Sequence, residues 1–335
     1  MKTKSFLLGA AALMLATACS NDEVVKVAEN SAAIGFSSFV NNSTRADYGT
    51  ENLPADIQVY GLTSRADGSV PSTSIFNGEV LSKESNWTYS PLRYWVAGND
   101  YSFAAFAPAK DSNVSNATMT ADKGLTFTFD NKTAGATEDL LYADWAKTGV
   151  AANEGTVEFT FSHMLSRVRF DFASAVANEN VQISVSDIQI TNAASTADFT
   201  GVNEGKMVWE NAGADLTVGF ETAGAKLANN KNETSSSMYL IPLSTDKAYT
   251  VKFNVTLHQK DLSKEGDVFV PMETFAHEVT IPAKTYQSSY SYTFKATITD
   301  ETISEDEMHP ILFDVVGVNG WTEETAEEVP GFEKK

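Results

Sequence analysis

Apolar side chains in this chain recur on alternate residues, in short runs. Ile34, Phe36 and Val40 share one side of a pleat with Ser38 among them; Ile57, Val59 and Gly61 repeat the period, as do Tyr101, Phe103, Ala105 and Ala107. A period of two sends successive side chains to opposite faces, so each run predicts a half-buried β-strand. The same alternation predicts strands over 125–129, 157–172, 181–190, 238–243, 249–258, 268–281, 290–298 and 311–318. Between them, Asp67-Gly68, Asn77-Gly78, Gly98-Asn99-Asp100, Asn153-Glu154-Gly155, Asn203-Glu204-Gly205 and Asn319-Gly320 read as turns. Val, Ile, Thr, Tyr and Phe dominate the runs, and no long segment carries a helical period. The pattern therefore predicts an all-β protein built from two β-sandwiches in tandem. Residues 191–236 hold few large apolar side chains and read as long surface loops of the second sandwich.

The first residues have a different pattern. Lys2 and Lys4 precede an apolar run from Phe6 to Ala16, too short to span a bilayer permanently, which reads as a cleaved export signal. Ala16-Thr17-Ala18 then leads to Cys19, the only cysteine, and the segment resembles the lipobox at which bacterial lipoproteins are cut and acylated. Ala16 stands where that motif usually has Leu, with Leu13 and Leu15 just upstream. A single cysteine excludes an internal disulfide framework, and lipidation accounts for an unpaired thiol in an exported chain. The expected organisation is a lipoprotein signal peptide over 1–18, a short tether over 19–32, an N-terminal sandwich over 33–160 and a C-terminal sandwich over 161–335. The run 157–172 could close the first or open the second, so the division is set near 160.

Composition and charge narrow the function. The 335 residues carry 24 basic and 44 acidic side chains, a net charge of −20, with no basic stripe to follow a phosphate backbone; nucleic acid is not an expected partner. His163, His258, His277 and His309 are scattered and fit no metal-ligand spacing. The acidic run 301–307 beside His309 lacks the spacing of a calcium loop and reads as a solvated segment. There is no Gly-x-Ser-x-Gly elbow, phosphate loop or dinucleotide fingerprint. No cofactor, no metal and no enzymatic activity are expected.

Several segments, in order along the chain, resemble the fimbrillin family, the subunits of type V surface pili of gut and oral Gram-negative anaerobes. They are Ile34 to Val40 followed by Ser43-Thr44-Arg45-Ala46; Ile57 to Gly61; Trp87-Thr88-Tyr89 with Tyr94-Trp95; Tyr101 to Pro108; Asp139-Leu140-Leu141-Tyr142-Ala143; Phe161 to Val168; and Val315 to Trp321. The resemblance implies two transthyretin-like (Greek-key) sandwiches, export as an outer-membrane lipoprotein, proteolytic maturation, and polymerisation by strand exchange with other copies or related pilus subunits into a cell-surface fimbrium.

These residues give that mechanism a physical form. Arg45 lies in a polar stretch directly after the first strand, and a cut between Arg45 and Ala46 would release the lipid anchor at Cys19 together with the strand carrying Ile34, Phe36 and Val40. Arg65 is a competing site that would also remove a second strand. The vacated groove would accept a strand by β-augmentation, and the candidate donor is the C-terminal region, where Ile311, Phe313 and Val315 alternate before Trp321. The same region reads equally as an ordinary last strand. After residue 45 the chain keeps 20 basic and 41 acidic side chains, a net charge of −21, so assembly would rest on apolar contacts rather than opposite charge. A different reading is a monomeric surface lipoprotein that binds glycans through exposed aromatics such as Trp87, Tyr89, Tyr94 or Trp95.

Overall fold

The computed structural model describes residues 31–40, 55–83, 87–109, 113–132, 135–303, 311, 313–317 and 322–323. Strands account for nearly all regular structure there, with one 3-10 turn at Asp300–Ile303. In chain order the first nine are β1 (Phe36–Val40), β2 (Asp56–Ser64), β3 (Thr73–Lys83), β4 (Trp87–Thr88), β5 (Asp100–Ala107), β6 (Val114–Thr120), β7 (Gly124–Asp130), β8 (Leu141–Lys147) and β9 (Val157–His163). Then come β10 (Ser166–Ser174), β11 (Val181–Ala194), β12 (Thr196–Asn203), β13 (Lys206–Glu210), β14 (Asp215–Phe220) and β15 (Asn232–Thr234). The last are β16 (Met238–Leu240), β17 (Lys247–Lys260), β18 (Phe269–Lys284), β19 (Tyr290–Ile298), β20 (Phe313–Gly317) and β21 (Thr322–Glu323).

Four sheets enclose three cores. A seven-stranded sheet runs β1-β9-β8-β5-β2-β3-β4. Its inner face gathers Ile34, Phe36, Ile57, Val59, Phe76, Trp95, Phe103 and Phe159 into one cluster. On the opposite face, Tyr60, Phe106 and Tyr142 meet a second sheet ordered β13-β12-β7-β6. β5 is therefore covered on both sides, which is why its run Asp100–Ala107 is apolar at nearly every position. The third core lies between a sheet containing β10, β15, β16, β19, β20 and β21 and another ordered β14-β11-β17-β18, with Phe170, Phe172, Val251, Phe253 and Phe294 at its centre. All three cores follow the alternation in the sequence, one row of each strand facing in.

Three details depart from the expected pattern. Asn77-Gly78 is not a turn: it sits inside β3 at a register shift opposite Val59 and Tyr60, and Gly78 has φ +78°, so the pair forms a β-bulge that bends the strand. A Cβ on Gly78 would lie 2.9 Å from Gln58 Nε2. The single run 157–172 is divided by Met164 and Leu165, which pass from β9 in the first sheet to β10 in another. Residues 191–236 are not loops but hold the end of β11 and all of β12 to β15. Their apolar content is sparse because each short strand needs only one or two anchors: Phe199, Trp209, Val218 and Phe220, all buried.

β12 and β13 complete the sheet begun by β6 and β7, with Thr196 to Phe199 pairing antiparallel with Asp130 to Phe127. One ladder thus joins strands from early and late in the chain. Phe127, Phe199 and Trp209 pack against one another through it, with centroids 5.1 Å apart for Phe127–Phe199 and 5.5 Å for Phe199–Trp209. The β12–β13 turn is the predicted Asn203-Glu204-Gly205, with positive φ at Glu204 and Gly205 as a two-residue primed turn requires. Within β12, at a register shift against β13, Gly201 has φ +115°, and a Cβ there would stand 2.8 Å from the Lys123 carbonyl oxygen. Because that obstacle is backbone, Gly201→Ala is expected to destabilise the fold by about 1 to 3 kcal/mol. Chemical denaturation checks this; an unchanged midpoint would contradict it.

Candidate functional site

The first described strand sits in a seat made by parts of the chain far from it in sequence. β1 runs parallel to β9, with Phe36 beside Val157, Ser38 beside Phe159 and Val40 beside Phe161. Parallel pairing cannot be made by a hairpin, so local turn chemistry does not hold the strand in place. Ile34 is 1% exposed and Phe36 5% exposed. Phe36 is ringed by Phe76, Tyr89, Phe103 and Phe159, with centroids 5.4 to 5.9 Å away. Two such side chains contribute about 3 to 6 kcal/mol through burial alone, before edge-to-face ring contacts are added.

The other flank of the strand is held by residues 87–95, which act as a strap. Ile34 N donates to Arg93 O at 2.8 Å, and Trp95 N donates to Ala32 O at 3.1 Å. Tyr89 Oη donates to Ile34 O at 2.8 Å, and Trp87 Nε1 donates to Ser38 Oγ at 2.9 Å. Burial raises the Tyr89 phenol above its ordinary pKa, which keeps it a donor. Arg93 fixes the strap from outside, its guanidinium 4.3 Å from the Phe76 ring centroid and 2.8 Å from Glu79 Oε2. Since β1 and β4 are the opposite edges of the seven-stranded sheet, these contacts bring the sheet round on itself. The first strand is the closing stave.

A family model described as fimbrillin-like matches residues 44–309 of the chain. The chain belongs to the fimbrillin-like family. It is 22% identical to the fimbrium subunit Fim1C of Phocaeicola vulgatus over 390 residues, covering 98% of this chain and 99% of that protein. A crystal structure of a fimbrial protein from Bacteroides vulgatus superimposes with TM-score 0.63 at 19% identity, covering 85% of this chain and 99% of that one. Both relatives are fimbrial proteins rather than enzymes.

The remaining sequence-predicted residues fall as follows in this fimbrillin-like chain. Cys19, Arg45, Ala46, Trp321 and His309 lie outside the described residues, as do the side chains of Val40 and Val315. Strand β20 pairs antiparallel with β19 and, among the described residues, forms an edge. Ile311 is buried, and Phe313 packs against Phe170, Phe172 and Phe253, with centroids 5.3 to 5.8 Å away. Of the four aromatics considered for stacking on sugars, Trp87 and Trp95 are core residues, Tyr89 is half-buried against Phe36, and Tyr94 is exposed. The sequence singles out both Ile34 and Trp87, but nothing in its local pattern says that the two segments touch.

Among the described residues no three His, Cys, Asp or Glu side chains cluster as metal ligands. His163 Nδ1, at the end of β9, lies 2.6 Å from Asp139 Oδ2, just before β8, in a buried pair. His258 shares a 2.8 Å hydrogen bond with Ser184 Oγ, and burial lowers its pKa, with nearby Lys226 adding to the effect. His277 stacks on Phe253 at 5.2 Å, and burial lowers its pKa too. A shallow depression of about 380 Å³ near His277 is lined in part by the pairs Lys252–Glu278 and Asn254–Asp187.

Two outcomes follow from this geometry. Phe36→Ala is expected to cost about 3 to 5 kcal/mol, while Tyr89→Phe, which removes the hydroxyl's hydrogen bonds to Ile34 O and to the Arg93 backbone, costs about 1 to 2 kcal/mol; urea unfolding distinguishes them, and equal effects would contradict the ring packing around Phe36. His277 resists protonation when folded, whereas the unfolded chain binds a proton near the ordinary value of 6.5. Its share of stability is therefore present above that value and lost as pH falls below it. His277→Gln should flatten the fall in melting temperature between pH 7 and 5, and an unchanged slope would contradict the desolvation.

Proposed function

We propose that this chain is a structural or adhesive subunit of a cell-surface fimbrium, exported as an outer-membrane lipoprotein acylated at Cys19, cut between Arg45 and Ala46, and polymerised by strand exchange. The carrying observation is the seat of β1: an N-terminal strand with Ile34 and Phe36 buried in the first core, paired with β9 and linked to β2 through a segment that contains Arg45. Cleavage there separates strand from body and leaves an apolar groove flanked by β9 and the strap. Within this reading the chain divides into tandem transthyretin-like sandwiches, with the change-over between β9 and β10 and the β7–β12 ladder joining the two units.

The proposed donor is the segment bearing Ile311, Phe313 and Val315, with Trp321 beyond it, from a second copy or a related subunit. Moving a buried strand from one core to another gains nothing through burial alone, so the direction of exchange depends on how each seat pairs it. The β1 seat offers backbone partners on both flanks, at β9 and at residues 93–95, whereas among the described residues β20 is paired on one side, by β19. The doubly flanked seat is the better one. Since the mature chain would keep a charge of −21, salt should not dissolve the polymer.

The reading of a monomeric glycan binder loses its main support, because Trp87 and Trp95 are committed to the core. The two readings predict different chains on cells: N-terminal sequencing of the fimbrial material is expected to begin at Ala46, and Arg45→Ala to leave lipid-anchored monomers. Long fibres assembled from Arg45→Ala chains would overturn strand release.

A further inference from the structure

The inward row of β1 is not uniformly apolar. Ile34, Phe36 and Ser38 alternate, the last two beside Val157 and Phe159, and the third position is a hydroxyl set beside the fully buried Phe159. Its Oγ accepts the indole N–H of Trp87 at 2.9 Å. Trp87 is 7% exposed and belongs to the first core, with the Lys83 ammonium 5.7 Å from its ring centroid. When β1 leaves, the Trp87 N–H loses this acceptor, in a place that any incoming strand covers again.

Resting on the strand-exchange reading above, we propose that Trp87 determines which strand the seat prefers: an extended segment of another pilus subunit that places an acceptor side chain, Ser, Thr, Asn or Asp, two residues after an aromatic. A strand with an apolar third residue covers the indole N–H without pairing it, and an unpaired buried donor weakens binding by roughly five- to a hundredfold. Laid in the direction of β1, the chain's own C-terminal segment puts Ile311 where Ile34 was and Phe313 where Phe36 was, then presents Val315 at the place of Ser38. The first two positions match and the third does not. A second copy is thus an acceptable donor but not the best one, and the seat favours a different subunit whose donor strand reads Ile-x-Phe-x-Ser or its equivalent.

The experiment uses the full chain, nicked in limited digestion by an Arg-specific protease in the presence of one fluorescent peptide, with capture read by size-exclusion chromatography over a range of peptide concentrations. Peptides of residues 32–40 with Ser38 or with Ser38→Ala, and of residues 309–318 with Val315 or with Val315→Ser, give two matched pairs. The expected result is that the hydroxyl member binds at least about fivefold tighter in the first pair and measurably tighter in the second, and that Trp87→Phe abolishes both preferences. Affinities equal within twofold in the wild-type chain overturn the proposal even if Trp87→Phe fails to fold, and so does a preference that survives in a folded Trp87→Phe chain. Capture of no peptide at all overturns the strand-exchange reading itself, whereas capture without preference leaves that reading standing and removes only the role of Trp87.

Discussion

The first sheet depends on one strand that joins its two edges. β9 binds β1 along one side and the strap from Trp87 to Trp95 binds it along the other, so the seven-stranded order closes only when β1 is present. The inner face of that sheet is lined with aromatic side chains, and Phe36 is the ring that touches four of them. A strand added in parallel from far along the chain is a non-local contact, costly in loop entropy and formed late. Such a strand can contribute several kcal/mol to the finished structure while remaining the piece whose loss disturbs the order of the other strands least, because every other neighbour in the sheet keeps its ladder partner.

The second constraint is the shared sheet. β7 and β12 pair across the whole middle of the chain, and Met164, Leu165 and Trp209 fill the core beneath them, Trp209 Nε1 donating to Met164 O at 3.3 Å. The change-over from β9 to β10 is therefore not a free linker but a buried segment with its own packing. Ser289 Oγ donates to His163 O at 2.7 Å and Ser166 Oγ to Gln287 O at 2.8 Å, so the late strands are tied to the end of the early sheet at the same point. The closing strand lies at the far edge of a body that is otherwise cross-linked by hydrogen bonds and rings.

Much of this was legible in alternation alone. β2, β5, β7, β17 and β19 read directly from period two, because each buries a full apolar row, and the turn at Glu204-Gly205 read from its residues. Two features misread for the same reason, that residue type does not report what lies opposite. Asn77-Gly78 carries turn chemistry, yet its positive φ is used for a bulge within β3 because Gln58 and Tyr60 occupy the space a side chain would take. The strands between 191 and 236 carry one or two large apolar residues each, since a short strand in a shared sheet needs few anchors, and sparse anchors among Ala, Thr and Asn look like loop. Ile34 and Phe36 were readable as a strand, but their partners were not. The strap contacts are side-chain tips and single backbone bonds between residues 49 or more positions apart, and such pairings leave no periodic trace.

Tethering decides what can displace the closing strand. While β1 remains covalently attached to β2, its effective concentration at its own seat is on the order of millimolar. A donor from another molecule, present at far lower concentration and leaving a seat of its own, would need an affinity advantage of several orders of magnitude to win. Near-identical knobs, Ile34 and Phe36 against Ile311 and Phe313, cannot supply it, because the same side chains gain the same burial. Under the strand-exchange reading, no refinement of the donor sequence can therefore replace the cut. Only severing the link turns the competition from one against a tethered strand into one against a strand that diffuses away once released, and only then do differences as small as one hydrogen bond, such as that of Trp87, decide which strand stays.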